Sequence, residues 1–222
     1  MEFGLSSEQR LLQDSVAKYL SNTCPLQHVR DVTAGKTPLS ASLNAGLADL
    51  GVSGIVIPAE FGGMGLGLLD AAVIAEALGG RVAPARFVGA HVMAPLAIMS
   101  GGSEAQQETW LPRLASGAAA AAVAVTESIT RRDGAGVAAS NGRLHGTALF
   151  VLGAAGSDVI VVSDATGRQH LVATDAAGVE LTPLATIDKT RSVGELKLSG
   201  AAAEPLPRSG IETTRRIIEA GR

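Results

Sequence analysis

From the N-terminus to about residue 116, apolar positions recur at three- and four-residue intervals, the spacing that lines one face of a helix. Leu12, Val16 and Tyr19 follow Ser6 and Gln9, whose spacing predicts a capping box: the hydroxyl accepts from an orphan backbone N–H and the amide reaches back. Leu43, Leu47 and Leu50 share a second face that stops at Gly51, a residue suited to a left-handed cap. Leu69, Val73 and Ala77 align in a third helix over 68–78, ended by Gly79-Gly80. A fourth covers 87–99 with a break at Pro95, and a fifth covers 104–114 behind a second box, Ser103 with Gln106. After Gly117 the period changes to two. Strands are predicted over 122–125, 143–152, 158–163, 170–174, 179–184 and 193–198, with the alanine run before the first read as a loop entering a buried strand. Turn signals lie between them at Asp133-Gly134, Asn141-Gly142 and Ala165-Thr166-Gly167. From Gly210 the pattern is helical again, and Ile217 and Ile218 are expected to stand uncovered on that last helix.

The fold class that follows is α+β: an all-α N-terminal domain over 1–116, an antiparallel β-sandwich or barrel over 117–208, and the first turns of a further helical domain over 209–222.

Composition narrows the class. The 222 residues are 46% hydrophobic, enough for one or two domains that need no disulfide or structural metal. Aromatics make up only 3% and glycines number 27, so the core is expected to consist of aliphatics and alanine with closely packed backbones. Cys24 is the single cysteine and fits a reducing, cytoplasmic setting. The net charge of −3 comes without a basic stripe, which argues against a nucleic-acid partner. The longest apolar run, 118–125, is far short of the roughly 20 residues that span a bilayer, and residues 1–10 have no apolar stretch of the kind a secretory signal needs.

Candidate chemistry is sparse. Gly62-Gly63-Met64-Gly65-Leu66-Gly67 lies between an apolar run and a helix, but Pro58 to Phe61 intervene and no acidic residue follows about 20 positions on, so a tight helix-to-helix loop is favoured over a dinucleotide turn. The 153–158 cluster reads as a loop between strands. His28, His91, His145 and His170 show no metal-ligand spacing. No G-x-S-x-G elbow is present, and Glu60, Glu76, Glu127 and Asp188 fall on separate elements, so no catalytic residue is assigned.

Several segments, taken in order, resemble the acyl-CoA dehydrogenase family. Leu5-Ser6-Ser7-Glu8-Gln9 is similar to its first-helix start, and Ile57 to Gly65 to its P-E-x-G-G-x-G segment. Trp110-Leu111-Pro112-Arg113-Leu114-Ala115-Ser116-Gly117 resembles W-L-P-x-L-A-x-G, and Val125-Thr126-Glu127 resembles the V-T-E that begins the flavin-contact stretch. The resemblance implies flavin adenine dinucleotide (FAD) between the β domain and a C-terminal helical bundle, with Thr126 donating to the pyrimidine edge and Phe150 packing beside the ring. It also implies an acyl-CoA thioester substrate, and a base carried by a carboxylate of that bundle.

The departures from the pattern are specific. Ser128-Ile129-Thr130-Arg131-Arg132 replaces P-x-A-G-S-D, Leu152 stands where a threonine or serine would serve flavin N5, and Ala148 replaces a lysine. These losses resemble the degenerate subunit of heteromeric members. The expectation is therefore an acyl-CoA dehydrogenase-like flavoprotein chain, either truncated or a divergent non-catalytic subunit, in a homo- or hetero-oligomer with an acyl-CoA dehydrogenase subunit. The alternative is a non-enzymatic assembly module that pairs with such a subunit through the exposed isoleucines.

Overall fold

The computed structural model describes residues 4–38, 41–125 and 132–222. Helix α1 (Ser7–Thr23) starts at the expected box, with Gln9 N–H donating to Ser6 Oγ at 3.2 Å and Ser6 N–H donating to Gln9 Oε1 at 3.0 Å. It buries Val16 and Leu20. A short α2 (Leu26–Thr33), not foreseen in the sequence, starts behind Pro25, and α3 (Ala41–Asp49) leads to Gly51 at φ 79°, the left-handed position the leucine pattern called for. The apolar segment after Gly51 is not a strand. It winds through two single turns of 3-10 helix, Val52–Gly54 and Ala59–Phe61, into α4 (Leu68–Gly80).

Where one helix broken at Pro95 was expected, a π-helix, Phe87–Met93, passes into α5 (Ala94–Gly101). Pro95 falls in the first turn of α5, directly behind the π-helix, so the proline marks the change of helix type and does not end the helical run. α6 (Glu104–Ala115) opens on the second capping box.

The strands are β1 (Ala121–Ala124), β2 (Gly136–Ser140), β3 (Arg143–Leu152), β4 (Val159–Ser163), β5 (Gln169–Ala173), β6 (Val179–Pro183), β7 (Val193–Ala202) and β8 (Glu204–Pro205). They form one curled sheet in the order β6-β7-β3-β1-β4-β5-β8, with β2 on the same edge of β3 as β1. Pairing is antiparallel except for β1 with β4. β3 returns antiparallel along one side of β1, and the 153–158 loop then reverses the chain so that β4 runs parallel to β1 on its other side. That loop is fixed by Asp158, whose N–H donates to Ala120 C=O at 2.8 Å and whose carboxylate accepts from Ala120 N–H at 2.7 Å. The Asn141-Gly142 signal is realised as the β2–β3 turn, with φ 50° and 71° at the two residues.

The alanine-rich composition has its reason in β1, which is buried on both faces. Ala121, Val123 and Val125 join Val159 and Val161 against the helices, while Ala122 and Ala124 join Ile160 and Val162 inside the curl. Small side chains let both layers close on a central strand with no exposed face. Gly89 of the π-helix works the same way at the helix–sheet contact: a Cβ there would lie 2.9 Å from Leu152 Cβ and 3.0 Å from its carbonyl oxygen.

Helix α7 (Ile211–Ala220) corrects one expectation. Ile217 and Ile218 are 2% and 7% exposed and pack with Met93, Ala94, Ala97 and Ile98. They are covered by α5 and the π-helix, elements more than a hundred residues earlier, a contact that local patterning does not reveal.

Candidate functional site

Two neighbouring features on the β layer carry whatever chemistry the described residues offer. The first is an irregularity in β3. Ala148 pairs with Leu196 and Val151 with Gly194, so three steps on β3 match two on β7 and one residue is extra. Because side chains alternate with period two, the extra residue flips the remainder of the strand: Ala148 and Val151 are both buried, and Phe150 is turned out with 39% of its surface exposed. Phe150 has φ 56°, a left-handed conformation that costs a bulky residue on the order of 1–3 kcal/mol. The Arg132 guanidinium stands over its ring, 4.8 Å from the centroid.

Of the two residues expected to contact a flavin, Phe150 is thus presented at the surface, and Thr126 lies outside the described residues. Leu152, two positions on, packs against the core between helices and sheet. Ala148 is fully buried in the core inside the curl. These described residues do not fit an isoalloxazine. The aromatic face is covered by a cation, and the Leu152 side chain beside it offers no donor, so a flat polar heterocycle buried there would lack a side-chain partner at about 1–3 kcal/mol.

The second feature is a cleft of about 850 Å³ between β2, the β4–β5 turn and α7. Its volume lies in the range of ligand pockets, roughly 300–1,000 Å³. Arg132 and Asp133 stand on one rim and Arg215, Glu219 and Arg222 on the other, while Asp164 and Thr214 line its floor. Below the floor is a buried polar network missed in the sequence. His170 Nε2 lies 2.9 Å from Asp164 Oδ2, and since a carboxylate only accepts, the ring nitrogen donates. Asp164 Oδ1 accepts from Thr166 N–H at 2.8 Å, Thr166 Oγ1–H at 2.6 Å and Arg168 N–H at 3.2 Å. Burial pushes this carboxyl up, but the bonds from Thr166, His170 and Arg168 outweigh it and hold its pKa below the usual aspartate value. A carboxylate so engaged holds a turn and is a poor general base. The turn in turn fastens β2, since Ala165 N–H donates to Val137 C=O at 2.8 Å. Gln169 Nε2 donates to Thr214 Oγ1 at 2.8 Å, and Thr214 donates to Gly167 C=O at 2.9 Å, which ties α7 to the same hairpin.

The other candidates resolve as structure. In the glycine cluster, Gly63, Met64, Gly65 and Leu66 donate their N–H groups to the carbonyls of Pro58, Gly54, Ile57 and Ile55, so these donors face the chain itself and not a phosphate. A Cβ on Gly63 would collide with the carbonyl oxygen of Ile57, which accounts for the glycine. In the 153–158 loop, Arg86 Nη1 donates to the carbonyls of Ala155 at 2.7 Å and Gly156 at 2.9 Å. Desolvation of that guanidinium lowers its pKa against the opposing pull of Asp158. Burial, then Arg86, pushes the His91 pKa down to about 4, so its imidazole is neutral at ordinary pH. Among the described residues, no group of three or more His, Cys, Asp or Glu side chains is placed to hold a metal, and no helix is long and apolar enough to cross a membrane.

Comparison with known proteins gives this arrangement a lineage. The family described as acyl-CoA dehydrogenase, N-terminal domain, matches residues 6–118. Acryloyl-CoA reductase (NADH) of Anaerotignum propionicum is 30% identical over 171 residues, 73% of this chain and 43% of the relative. Acyl-CoA dehydrogenase FadE27 of Mycobacterium tuberculosis is 29% identical over 216 residues, 95% of this chain and 57% of the relative. Among solved structures, the ChsE4-ChsE5 complex from Mycobacterium tuberculosis has a chain that superposes with TM-score 0.86 at 25% identity, covering 99% of this chain and 62% of that one. An acyl-CoA dehydrogenase complexed with FAD from Bacillus anthracis superposes with TM-score 0.82 at 24% identity over 98% of this chain and 40% of its own, a likeness of fold. The chain spans 43% and 57% of the length of the two relatives, and 40% to 62% of the two solved chains.

Proposed function

The chain belongs to the acyl-CoA dehydrogenase family, and we propose that it acts as the flavin-free, non-catalytic subunit of a heteromeric acyl-CoA dehydrogenase. The assembly would carry out α,β-dehydrogenation of an acyl-CoA thioester on FAD held by its partner. The observation that carries this reading is Leu152, a hydrocarbon packed against the core where the family resemblance would have a hydroxyl serve the flavin. The exposed Phe150 and its covering Arg132 support it from the same strand. The likeness to a chain of a two-subunit complex supports the pairing with a related subunit. The division into a helical unit over 1–116, a β unit over 117–208 and a helical segment over 209–222 belongs to the same reading. Arg215 and Arg222, at the rim of the cleft, suit the phosphates of a coenzyme A thioester shared with the partner.

The test is an acyl-CoA-dependent dye-reduction assay with FAD supplied. The chain by itself should reduce no dye, and co-expression with a flavin-bearing acyl-CoA dehydrogenase subunit should yield a complex of fixed stoichiometry that does. Turnover by the chain alone would contradict the proposal.

A further inference from the structure

Phe150 is the only aromatic residue after Trp110 in the sequence, and the β3 bulge holds it outward in a conformation that bulky residues avoid. Such strain persists where surrounding contacts over-determine it, and the described contact on the exposed ring is Arg132. Resting on the flavin-free reading above, we infer that Arg132 is a built-in occupant of the aromatic shelf, taking the ring face on which an isoalloxazine would otherwise lie.

The chemistry favours the guanidinium. It is planar, weakly hydrated and attracted to the negative face of the ring, so it covers an aromatic surface much as a flat heterocycle would. It is also attached to the same chain, so its local concentration at the shelf is fixed, whereas a free flavin has to arrive from solution. A flavin entering here would have to displace the cation and rehydrate it, and would then meet Leu152, whose side chain cannot return a hydrogen bond. Arg132 also stands on the rim of the cleft, so the same side chain separates the shelf from that space.

Riboflavin is the suitable probe, because it carries the tricyclic ring without the pyrophosphate and reports on the shelf alone. Binding is followed by quenching of its fluorescence in the wild type, Arg132→Ala, Arg132→Lys and the double variant Arg132→Ala/Phe150→Leu, with circular dichroism confirming that each is folded. Arg132→Ala is expected to bind riboflavin about fivefold more tightly than the wild type, the factor corresponding to one exposed cation–π contact removed. The lysine variant should fall between them and the double variant should return to the wild-type level. Arg132→Ala binding no more tightly than the wild type would overturn the inference and leave the flavin-free reading standing. A wild-type chain that retains FAD through purification would overturn that reading itself. An independent check needs no ligand: the Arg132 side-chain proton resonances should be shielded by the ring and should lose that shift in Phe150→Leu. Identical shifts in the two proteins would also overturn the inference.

Discussion

His170 donates to Asp164 across 2.9 Å at the end of the β4–β5 hairpin, with both side chains less than a tenth exposed. The pair joins three elements, because the turn it fixes also bonds β2 and accepts from Thr214 of α7. Asp164→Ala leaves the imidazole without its partner and the turn N–H groups without an acceptor. A loss of about 3 kcal/mol in urea unfolding is expected, as for other broken buried pairs. A loss under about 0.5 kcal/mol, the size of an ordinary surface change, would show that the pair does not organise the hairpin.

Ile217 distinguishes a core residue from a docking residue. It is buried against Met93, Ala94 and Ile98, so Ile217→Ala should cost about 2–4 kcal/mol in the isolated chain. If the side chain were exposed and reserved for a partner, the isolated chain would be indifferent to the change and only complex formation would suffer.

The π-helix meets the sheet through Gly89. A methyl group there would sit 2.9 Å from Leu152 Cβ, so Gly89→Ala should destabilise by about 1–3 kcal/mol through overpacking, despite the better helix propensity of alanine. A stabilised variant in thermal unfolding would mean that the two layers are not in close contact at this point.

His91 predicts a pH dependence. Its folded pKa is about 4, below the ordinary 6.5, so between these values the unfolded chain binds a proton that the folded chain refuses. The imidazole is half-buried, which lets solvent screen part of the effect, so stability is full above about pH 6.5 and falls by about 2 kcal/mol as the pH drops towards 4. His91→Gln should flatten the slope of unfolding free energy between about pH 7 and about pH 4.5. An unchanged slope in that variant would assign the acid sensitivity to other groups.

What the sequence made legible was local. Ser6 with Gln9 and Ser103 with Gln106 announce their helices because a cap is formed within four residues, and Asn141-Gly142 announces its turn because both residues must take positive φ. The switch from helical to alternating period after Gly117 corresponds to the passage from α6 to β1. Other features depend on distant partners. The β3 bulge exists only in register with β7, and the cover on Ile217 comes from α5. The Asp164–His170 pair straddles the Ala165-Thr166-Gly167 turn, so its placement at the hairpin end is the one signal the sequence offers for the polar network. α2 and β2 are short and bury few side chains, Val29 and Val32 in one and Val137 in the other, which leaves little periodicity to detect. At the candidate site, Phe150 was singled out by the family resemblance alone, while Arg132 carried no signal of its own because its contact depends on the bulge.

The central claim is that this chain does not hold flavin. Its most direct test is the flavin-to-protein ratio, read from absorbance after the chain is purified from a flavin-replete host, incubated with excess FAD and passed through a desalting column. The account predicts a colourless protein with a ratio near zero. A yellow protein carrying about one flavin per chain would contradict it.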